Sequence, residues 1–469
     1  MQHMNKKVLL WIPLPPGTNW RGEGIAQTIE NILNNIEDIQ VDVLVSRWHY
    51  SDLKDSIKND NINIIPLTFL WIFFGLKPKK IEKFKYNLKK SEKILSKVPF
   101  SVKYQLLLNK LKIGKGVSEL KIFKFFKYTL RLKPVTYIYN IFTRFKYTAV
   151  WVPTPMIQFT EKLRGNVYQS FWDGFTFEYI DFSDITTYQL LKFKAIFNNN
   201  SKLKIITQSN HNKVFLKKIF NIDSDRVIVA LNGSPNYREY KIKKLLDRKN
   251  IIDLWGFKSV NKNNYFEFVQ AYKLELENKA RLYRLTQKTD KDTKILMVST
   301  QYRVYKGFEQ LFRLIDSMLA DRKLVFIFTA KIPKHIRSKY DYLMDNIFEI
   351  VRVSNKQHAL LYQLSNLALH PSFAEGGHGS YPQFESASLD VPCLTQRGRH
   401  TKEMNKLHNN ELDDIFCDFA NITSSKSKIY NLLDDEGLRL SNIKTLSDKE
   451  YSWNIAAEKY RDIFLGENK

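Results

Sequence analysis

The sequence predicts an α/β protein of two Rossmann-like domains, each built on a doubly wound parallel sheet. Three observations carry that expectation. The chain has 469 residues, more than one ordinary core accommodates, so two domains are the default. Short, continuous apolar runs alternate with longer segments of helical period, as strands buried on both faces do. The alternation breaks off in a polar stretch at 237–291 and restarts at 294.

Taken in order, KVLLWIP at 7–13 reads as a buried strand that feeds a loop, and Arg21-Gly22-Glu23-Gly24 opens a helix with Ile25, Ile29, Ile32 and Leu33 at helical spacing. This is strand, glycine loop, helix, but not the dinucleotide fingerprint: Gln27 stands where a third glycine is required, and no GxxxxGK loop occurs. Further strands are expected at 41–46, 62–65, 148–153 and 166–171, the last ending at Trp172-Asp173-Gly174. KLKIITQSNHNKVFLKKIF gives a strand, Ser209 as helix cap and a helix, and DRVIVALNGSP gives a further strand. The second domain predicts strands at 294–298, 324–329, 348–351, 367–369 and 392–395. A helix opens at Lys306-Gly307-Phe308, and YSW at 451–453 starts the terminal helix. The boundaries expected are 1–236, with a basic insertion at about 77–146, then a linker at 237–291, a second domain at 292–450 and a terminal helix at 451–469 that can cross back to the first domain.

Composition narrows the function classes. A hydrophobic content of 43% excludes general disorder, and two cysteines, Cys393 and Cys417, form neither a disulfide framework nor a metal-ligand spacing. The N-terminus lacks a signal-peptide core, so a reducing cytoplasm is the expected location. The apolar run at 64–76 holds Pro66 and falls well short of the roughly 20 residues a membrane span needs. The formal charge is +26, and residues 77–146 hold 20 Lys and Arg against Glu82, Glu92 and Glu119, a net +17. Within that block VSELKIFKFFKYTLRL at 117–132 places Lys124, Lys127 and Arg131 on one side of a helix and Ile122, Phe123, Phe126 and Leu130 on another. Such a helix can lie on an anionic membrane, or it is a surface helix with its aromatic side on the sheet. No recognised nucleic-acid module accompanies the charge, so nucleic acid is not expected as a partner.

The most informative stretch is PSFAEGGHGSYPQFE at 371–385, directly after the apolar run at 367–369. A strand delivering a glycine-rich loop into a helix start is a phosphate-binding arrangement. Gly376, Gly377 and Gly379 let a ligand approach the backbone, Pro382 suits the first helical position, and Glu375 and Glu385 aim two carboxylates at one space. The alternative is a surface turn whose early glutamate favours the helix dipole.

Several separate segments together resemble the retaining GT-B glycosyltransferases of the large family that includes sucrose synthases and phosphatidylinositol mannosyltransferases. They are the N-terminal glycine loop, ITQS before a helix, VIVALNGSP, QYRVYKG after a strand, PSFAEGG…PQFE and the late YSW. The resemblance implies two facing Rossmann-like domains with a cleft between them, acceptor on the first and nucleotide-sugar on the second. It implies that Arg303 and Lys306 hold the donor diphosphate, although the usual arginine position is occupied by Gln301. Glu385 would hold the nucleotide ribose and Glu375 the donor sugar. The two are separated by nine residues where the family has seven, so the glycine loop with His378 is enlarged. His378 can donate to a sugar hydroxyl or phosphate, or face solvent. Asp173 stands where the family often has a histidine; it can orient the acceptor hydroxyl, act as its base, or cap a turn. Gly22 and Gly24 belong to the acceptor loop.

The activity that this resemblance implies is that of a retaining, metal-independent hexosyltransferase acting on a UDP- or GDP-linked donor and a glycan or lipid-linked acceptor. Surface polysaccharide, lipopolysaccharide or glycolipid assembly is the expected setting, with the enzyme peripheral at the inner face of the cell membrane. No cofactor or metal is expected; Asp223-Ser224-Asp225 lies in a helix-to-strand connection, and His211, His370 and His400 form no ligand spacing, His370 reading as a strand-end structural residue. A nucleotide-sugar epimerase or hydrolase on the same fold, and a non-enzymatic polyanion- or membrane-binding protein, are the alternatives.

Overall fold

In a computed structural model the described residues are 6–12, 24–45, 47–66, 136–137, 139–153, 162–172, 197–198, 200–242, 250–256, 265–303, 306–373, 375, 379–407, 412–448 and 451–467. The amphipathic segment at 117–132 lies outside them, as do most of the basic block, Gly22, Asp173, Gly376, Gly377 and His378.

The first sheet comprises β1 (Lys7–Ile12), β2 (Gln40–Val45), β3 (Ile62–Pro66), β4 (Ala149–Val152), β5 (Val167–Phe171), β6 (Lys204–Thr207) and β7 (Val227–Val229). They lie in the order β3-β2-β1-β4-β5-β6-β7, and every pair is parallel. Helix α1 (Gly24–Asn35) crosses from β1 to β2, and α2 (Arg47–Ser56) from β2 to β3. After β6, α3 (Asn210–Phe220) is capped by Ser209, whose hydroxyl accepts the Asn212 N–H at 3.1 Å. Apolar side chains cover both faces of the sheet: Val8, Leu10 and Trp151 pack on one, Leu9, Trp11, Phe171 and Phe215 on the other. A parallel sheet sandwiched in this way needs unbroken apolar strands, which is why these segments lack alternation.

Helix α4 (Tyr265–Lys288) leads into the second sheet of β8 (Lys294–Val298), β9 (Leu324–Phe328), β10 (Ile347–Glu349), β11 (Leu367–His370), β12 (Cys393–Gln396) and β13 (Phe416–Cys417). Its order is β10-β9-β8-β11-β12-β13, again all parallel. Both sheets therefore reverse strand order beside their first strand, and in such sheets the crevice at the carboxyl ends of the strands is where ligands bind. Helix α5 (Phe308–Leu319) buries Phe308, Leu311, Phe312, Ile315 and Met318 at helical spacing. Helices α6 (Asn355–Leu364), α7 (Tyr381–Ala387), α8 (Arg399–Leu407), α9 (Ile422–Asp434) and α10 (Glu436–Ser447) complete the layers.

The last helix, α11 (Trp453–Leu465), packs on the first sheet, with the Tyr460 and Phe464 rings 5.1 and 5.4 Å from that of Trp151. Its start is fastened to the turn after β7: the Ser234 N–H donates to the Tyr451 carbonyl at 2.7 Å, and the Tyr451 N–H to the Ser234 hydroxyl at 2.9 Å. Gly233 lies flat against Trp453, where a Cβ would overlap the indole. Among the described residues no helix is long and apolar enough to cross a membrane.

Candidate functional site

The site gathers where β8 and β11 end. After β8 the chain turns through 299–303 and returns at Lys306, whose N–H donates to the Arg303 carbonyl at 2.9 Å. Gly307 then begins α5 with φ 61°, and a Cβ there would collide with the Pro371 carbonyl. Only glycine satisfies both conditions, so this residue presses Lys306 against the start of the 371–385 motif. Lys306, a residue only 9% exposed, pairs through its ammonium with the Glu375 carboxylate. His370, the last residue of β11 and fully buried, reaches the same carboxylate oxygen through Nε2 at 2.8 Å.

Electrostatics follow from this arrangement. Burial alone would raise the Glu375 carboxyl, but Lys306 and the His370 contact overcome it and hold it well below the usual carboxylate range. Burial pushes His370 below its ordinary value, against the pull of Glu375. Nearby His400 is pushed down to about 3 by burial, and neither of its ring nitrogens has a hydrogen-bond partner among the described residues. Two neutral imidazoles and one buried cation thus surround one charged carboxylate.

Glu385 occupies a different environment one helix turn into α7. Its carboxylate accepts the Tyr362 hydroxyl at 2.9 Å and the Tyr237 hydroxyl at 3.3 Å, while Tyr237 also contacts His358 at 3.2 Å and His358 contacts the Ser299 hydroxyl at 2.8 Å. Burial raises the Glu385 carboxyl to about 7, against the two hydroxyls that pull it down, and burial pushes His358 down to about 4.

The helix that carries Glu385 begins one residue earlier than the sequence predicts. Ser380 is its cap and Pro382 its second residue; Gln383 Oε1 accepts the Ser380 N–H at 2.8 Å and hydroxyl at 3.1 Å. The S-x-x-Q capping pattern, legible at 380–383, outranks proline as a start signal. The Gln383 Nε2 donor is buried without a partner among the described residues. Gly379 precedes the cap with φ 114°, and a Cβ there would crowd Phe384 at 3.0 Å and the Met404 sulfur at 3.1 Å.

Of the predicted site residues, the structure pairs Lys306 with Glu375 and places Gly379 and Glu385 at the start of α7, with Glu385 held by Tyr362 and Tyr237. Arg303 is exposed, and its side chain makes no hydrogen bond or ion pair among the described residues. Gly24 is the exposed first residue of α1 with open space where a Cβ would be, so no packing demands glycine there. His370, read from the sequence as a strand-end structural residue, contacts Glu375 directly. The usable signal was its position: an ionisable residue closing an apolar strand points into the crevice. His400, Tyr362 and Tyr237 carried no such signal, because their relation to the site is purely spatial.

Three contacts bring the two domains together at the crevice. Thr28 of α1 meets the Tyr381 hydroxyl of α7 at 2.7 Å. Glu403 of α8 accepts the N–H groups of Asn210 and His211 at 2.6 and 3.0 Å, so the N-terminus of α3 is satisfied by a carboxylate from the other domain. Arg399 contacts His211 Nε2 at 3.3 Å. Among the described residues no cluster of His, Cys, Asp or Glu is arranged to hold a metal ion.

No family model and no curated protein matches the chain. Solved structures match over nearly its whole length. WaaG, a glycosyltransferase involved in lipopolysaccharide biosynthesis, is 11% identical with a TM-score of 0.54, over 98% of this chain and 99% of its own. Sucrose-phosphate synthase from Thermosynechococcus elongatus is 12% identical with a TM-score of 0.58, over 98% and 100%. HepE of Anabaena, solved with UDP and glucose, is 11% identical with a TM-score of 0.56, over 97% and 98%. The chain has the GT-B fold these structures share, two facing Rossmann-like domains with parallel sheets.

Proposed function

We propose that the chain is a retaining glycosyltransferase that moves a hexose from a nucleotide-sugar, bound by the second domain, to a glycan or lipid-linked acceptor bound by the first. The observation that supports it is the polar network at the strand ends of the second sheet, in which the Lys306–Glu375 pair is linked through His370, Ser299, His358 and Tyr237 to Glu385. When a sugar leaves a nucleoside diphosphate, negative charge builds on the leaving phosphate, and a fixed buried cation is most effective where charge develops. A lysine ammonium is a compact point charge with three N–H donors, the form in which lysine takes phosphate oxygens. Gln383 Nε2 at the start of α7 supplies a further donor.

Glu385 is the ribose ligand on this reading, and Glu375 meets the donor sugar. A carboxylate held by both Lys306 and His370 is poorly placed to attack an anomeric carbon. That favours same-face displacement, in which the leaving phosphate helps take the acceptor proton, over a covalent glycosyl-enzyme. Lys306 supplies the positive charge that a metal would otherwise bring. Asp173 and the loop with Gly22 and Gly24 are assigned to the acceptor side, and Gly376, Gly377 and His378 to the donor loop. The basic block at 77–146 holds the enzyme at the anionic inner face of a membrane, in surface polysaccharide or glycolipid assembly.

Thermal shift with UDP, GDP, dTDP and CMP identifies the nucleotide, because a ligand selective for the folded state raises its stability with concentration over Kd. Lys306→Ala and Glu385→Ala should each weaken binding of that nucleotide at least tenfold; unchanged affinity in both sinks the assignment. Product analysis with donor alone and then with acceptor separates transfer from hydrolysis or epimerisation.

A further inference from the structure

At the opposite end of the first sheet from the crevice, the N-terminal ends of β4, β5 and β6 surround a cavity of about 760 Å³. Four cations line it, Arg144, Lys162, Arg164 and Lys202, with no carboxylate among the described lining residues. They arrive from three separate segments, each just upstream of a strand: Arg144 before β4, Lys162 and Arg164 before β5, and Lys202 before β6.

Both walls are braced from behind by bonds to the main chain. The Asn140 carboxamide donates to the Lys162 carbonyl at 2.7 Å and accepts the Arg164 N–H at 2.9 Å, which fixes the turn carrying those two cations. Across the cavity the Arg226 guanidinium donates to the carbonyls of Phe197, Asn200 and Leu203 at 2.7, 2.8 and 3.2 Å, which fixes the turn carrying Lys202. The side chains of Lys162, Arg164 and Lys202 have no ion-pair partner among the described residues. Four like charges held by rigid turns around one concavity repel one another and focus a positive potential into it, an arrangement that an anion relieves.

We propose that this cavity is a second ligand site, for a small molecule or head group carrying two or more phosphates. Its volume suits a small organic ligand rather than a polymer strand. Its cations, two lysines and two arginines, supply the point charges and planar forks that phosphate oxygens take. Because it opens at the amino ends of the strands, occupancy leaves the crevice between the domains unobstructed. The ligand therefore acts as an effector or a tether and not as donor or acceptor.

The test is calorimetric titration of the full-length protein with tripolyphosphate, which carries the shared chemistry without lipid or nucleoside. Four proteins are compared: wild type; Lys162→Ala/Arg164→Ala/Lys202→Ala; Lys306→Ala, which disables the proposed donor site; and Lys124→Ala/Lys127→Ala/Arg131→Ala, which removes equal charge from the basic block. The expected result is a binding component that weakens at least tenfold in the cavity variant and persists in the other two. The substituted cavity side chains are exposed and carry no core, and the single change Lys202→Glu gives the same loss should the triple variant be unstable. Cosedimentation with phosphatidylcholine vesicles containing cardiolipin then separates the sources: uptake that depends on the cavity cations and is displaced by tripolyphosphate assigns a lipid head group, whereas binding of tripolyphosphate without vesicle uptake assigns a soluble phosphorylated ligand. Equal binding by the cavity variant and wild type, or an equal loss in the basic-block variant, overturns the proposal.

Discussion

Glu385→Gln tests the buried network at its centre. Burial raises the Glu385 carboxyl from 4.5 to about 7, so the folded protein binds its proton more tightly than the unfolded chain does. For an acid shifted upward, the associated stability is fully present below about pH 4.5 and is lost as pH rises through 7. About 2.5 units at 1.36 kcal/mol each makes the loss on the order of 3 kcal/mol by pH 8. Glutamine stays neutral at every pH: its carbonyl oxygen accepts the Tyr362 hydroxyl, and its amide nitrogen donates to the Tyr237 hydroxyl, which is free to turn toward His358 Nδ1. Glu375 shifts in the opposite direction but is present in both proteins and cancels. Urea unfolding at pH 5 and pH 8 should therefore show the variant about 1 kcal/mol more stable at the lower pH and about 3 kcal/mol more stable at the higher. A difference independent of pH would refute the reasoning. On the proposed reading the same carboxyl is linked to ligand. At pH 6 about 0.9 of it is protonated, and ribose hydroxyls that donate to the ionised form drive up to that fraction of a proton into solution. Calorimetry of nucleotide binding in two buffers of different ionisation enthalpy reads the release, and Glu385→Gln should abolish it.

The other predictions concern separate joints of the molecule. Glu375→Gln leaves buried Lys306 without its counter-charge and should cost about 1 to 3 kcal/mol at pH 7; because the Glu375 carboxyl is held below its ordinary value, this cost should shrink as pH falls below 4.5, the reverse of the trend at Glu385. Gly233→Ala drives a Cβ into the Trp453 indole and to 2.8 Å from its Cα, which should destabilise by about 2 kcal/mol, with hydrogen exchange rising first in α11; unchanged exchange there would contradict the contact. Glu403→Ala removes the acceptor for the Asn210 and His211 N–H groups and should cost about 1 kcal/mol, seen in small-angle scattering as a larger radius of gyration.

Features that depend on neighbours along the chain are legible in the sequence. Strands such as KILMV and LVFIF are readable because a sheet covered on both faces demands continuous apolar side chains. Ser209 is readable because its hydroxyl serves an N–H three residues on. The start of α7 falls one residue before the position that proline marks, because the Ser380–Gln383 pattern decides it. The polar networks are illegible for a different reason. Glu385 and Tyr237 are 148 residues apart, Thr28 and Tyr381 are 353 apart, and nothing local marks either pair. The cavity is equally hidden, because Lys162, Arg164 and Lys202 come one or two to a segment and Arg144 is one cation among the many of the basic block.

On the proposed reading, the two carboxylates of the 371–385 motif divide the work that a sugar donor requires. Glu375, fixed as an anion between a lysine and a neutral histidine, presents constant negative charge beside the place where a sugar would acquire positive character. Glu385, poised near 7 by burial, changes charge with what occupies it. Paired acids whose environments push their pKa values apart take different roles. On the proposed reading this allows the ribose side of the site to become charged only when hydroxyls arrive to solvate it. An empty crevice then avoids a second buried anion ten residues from the first. The helix that carries Glu385 is anchored by its own Ser380 cap, so on the same reading the added length between the two glutamates falls on the sugar side and not on the nucleoside side.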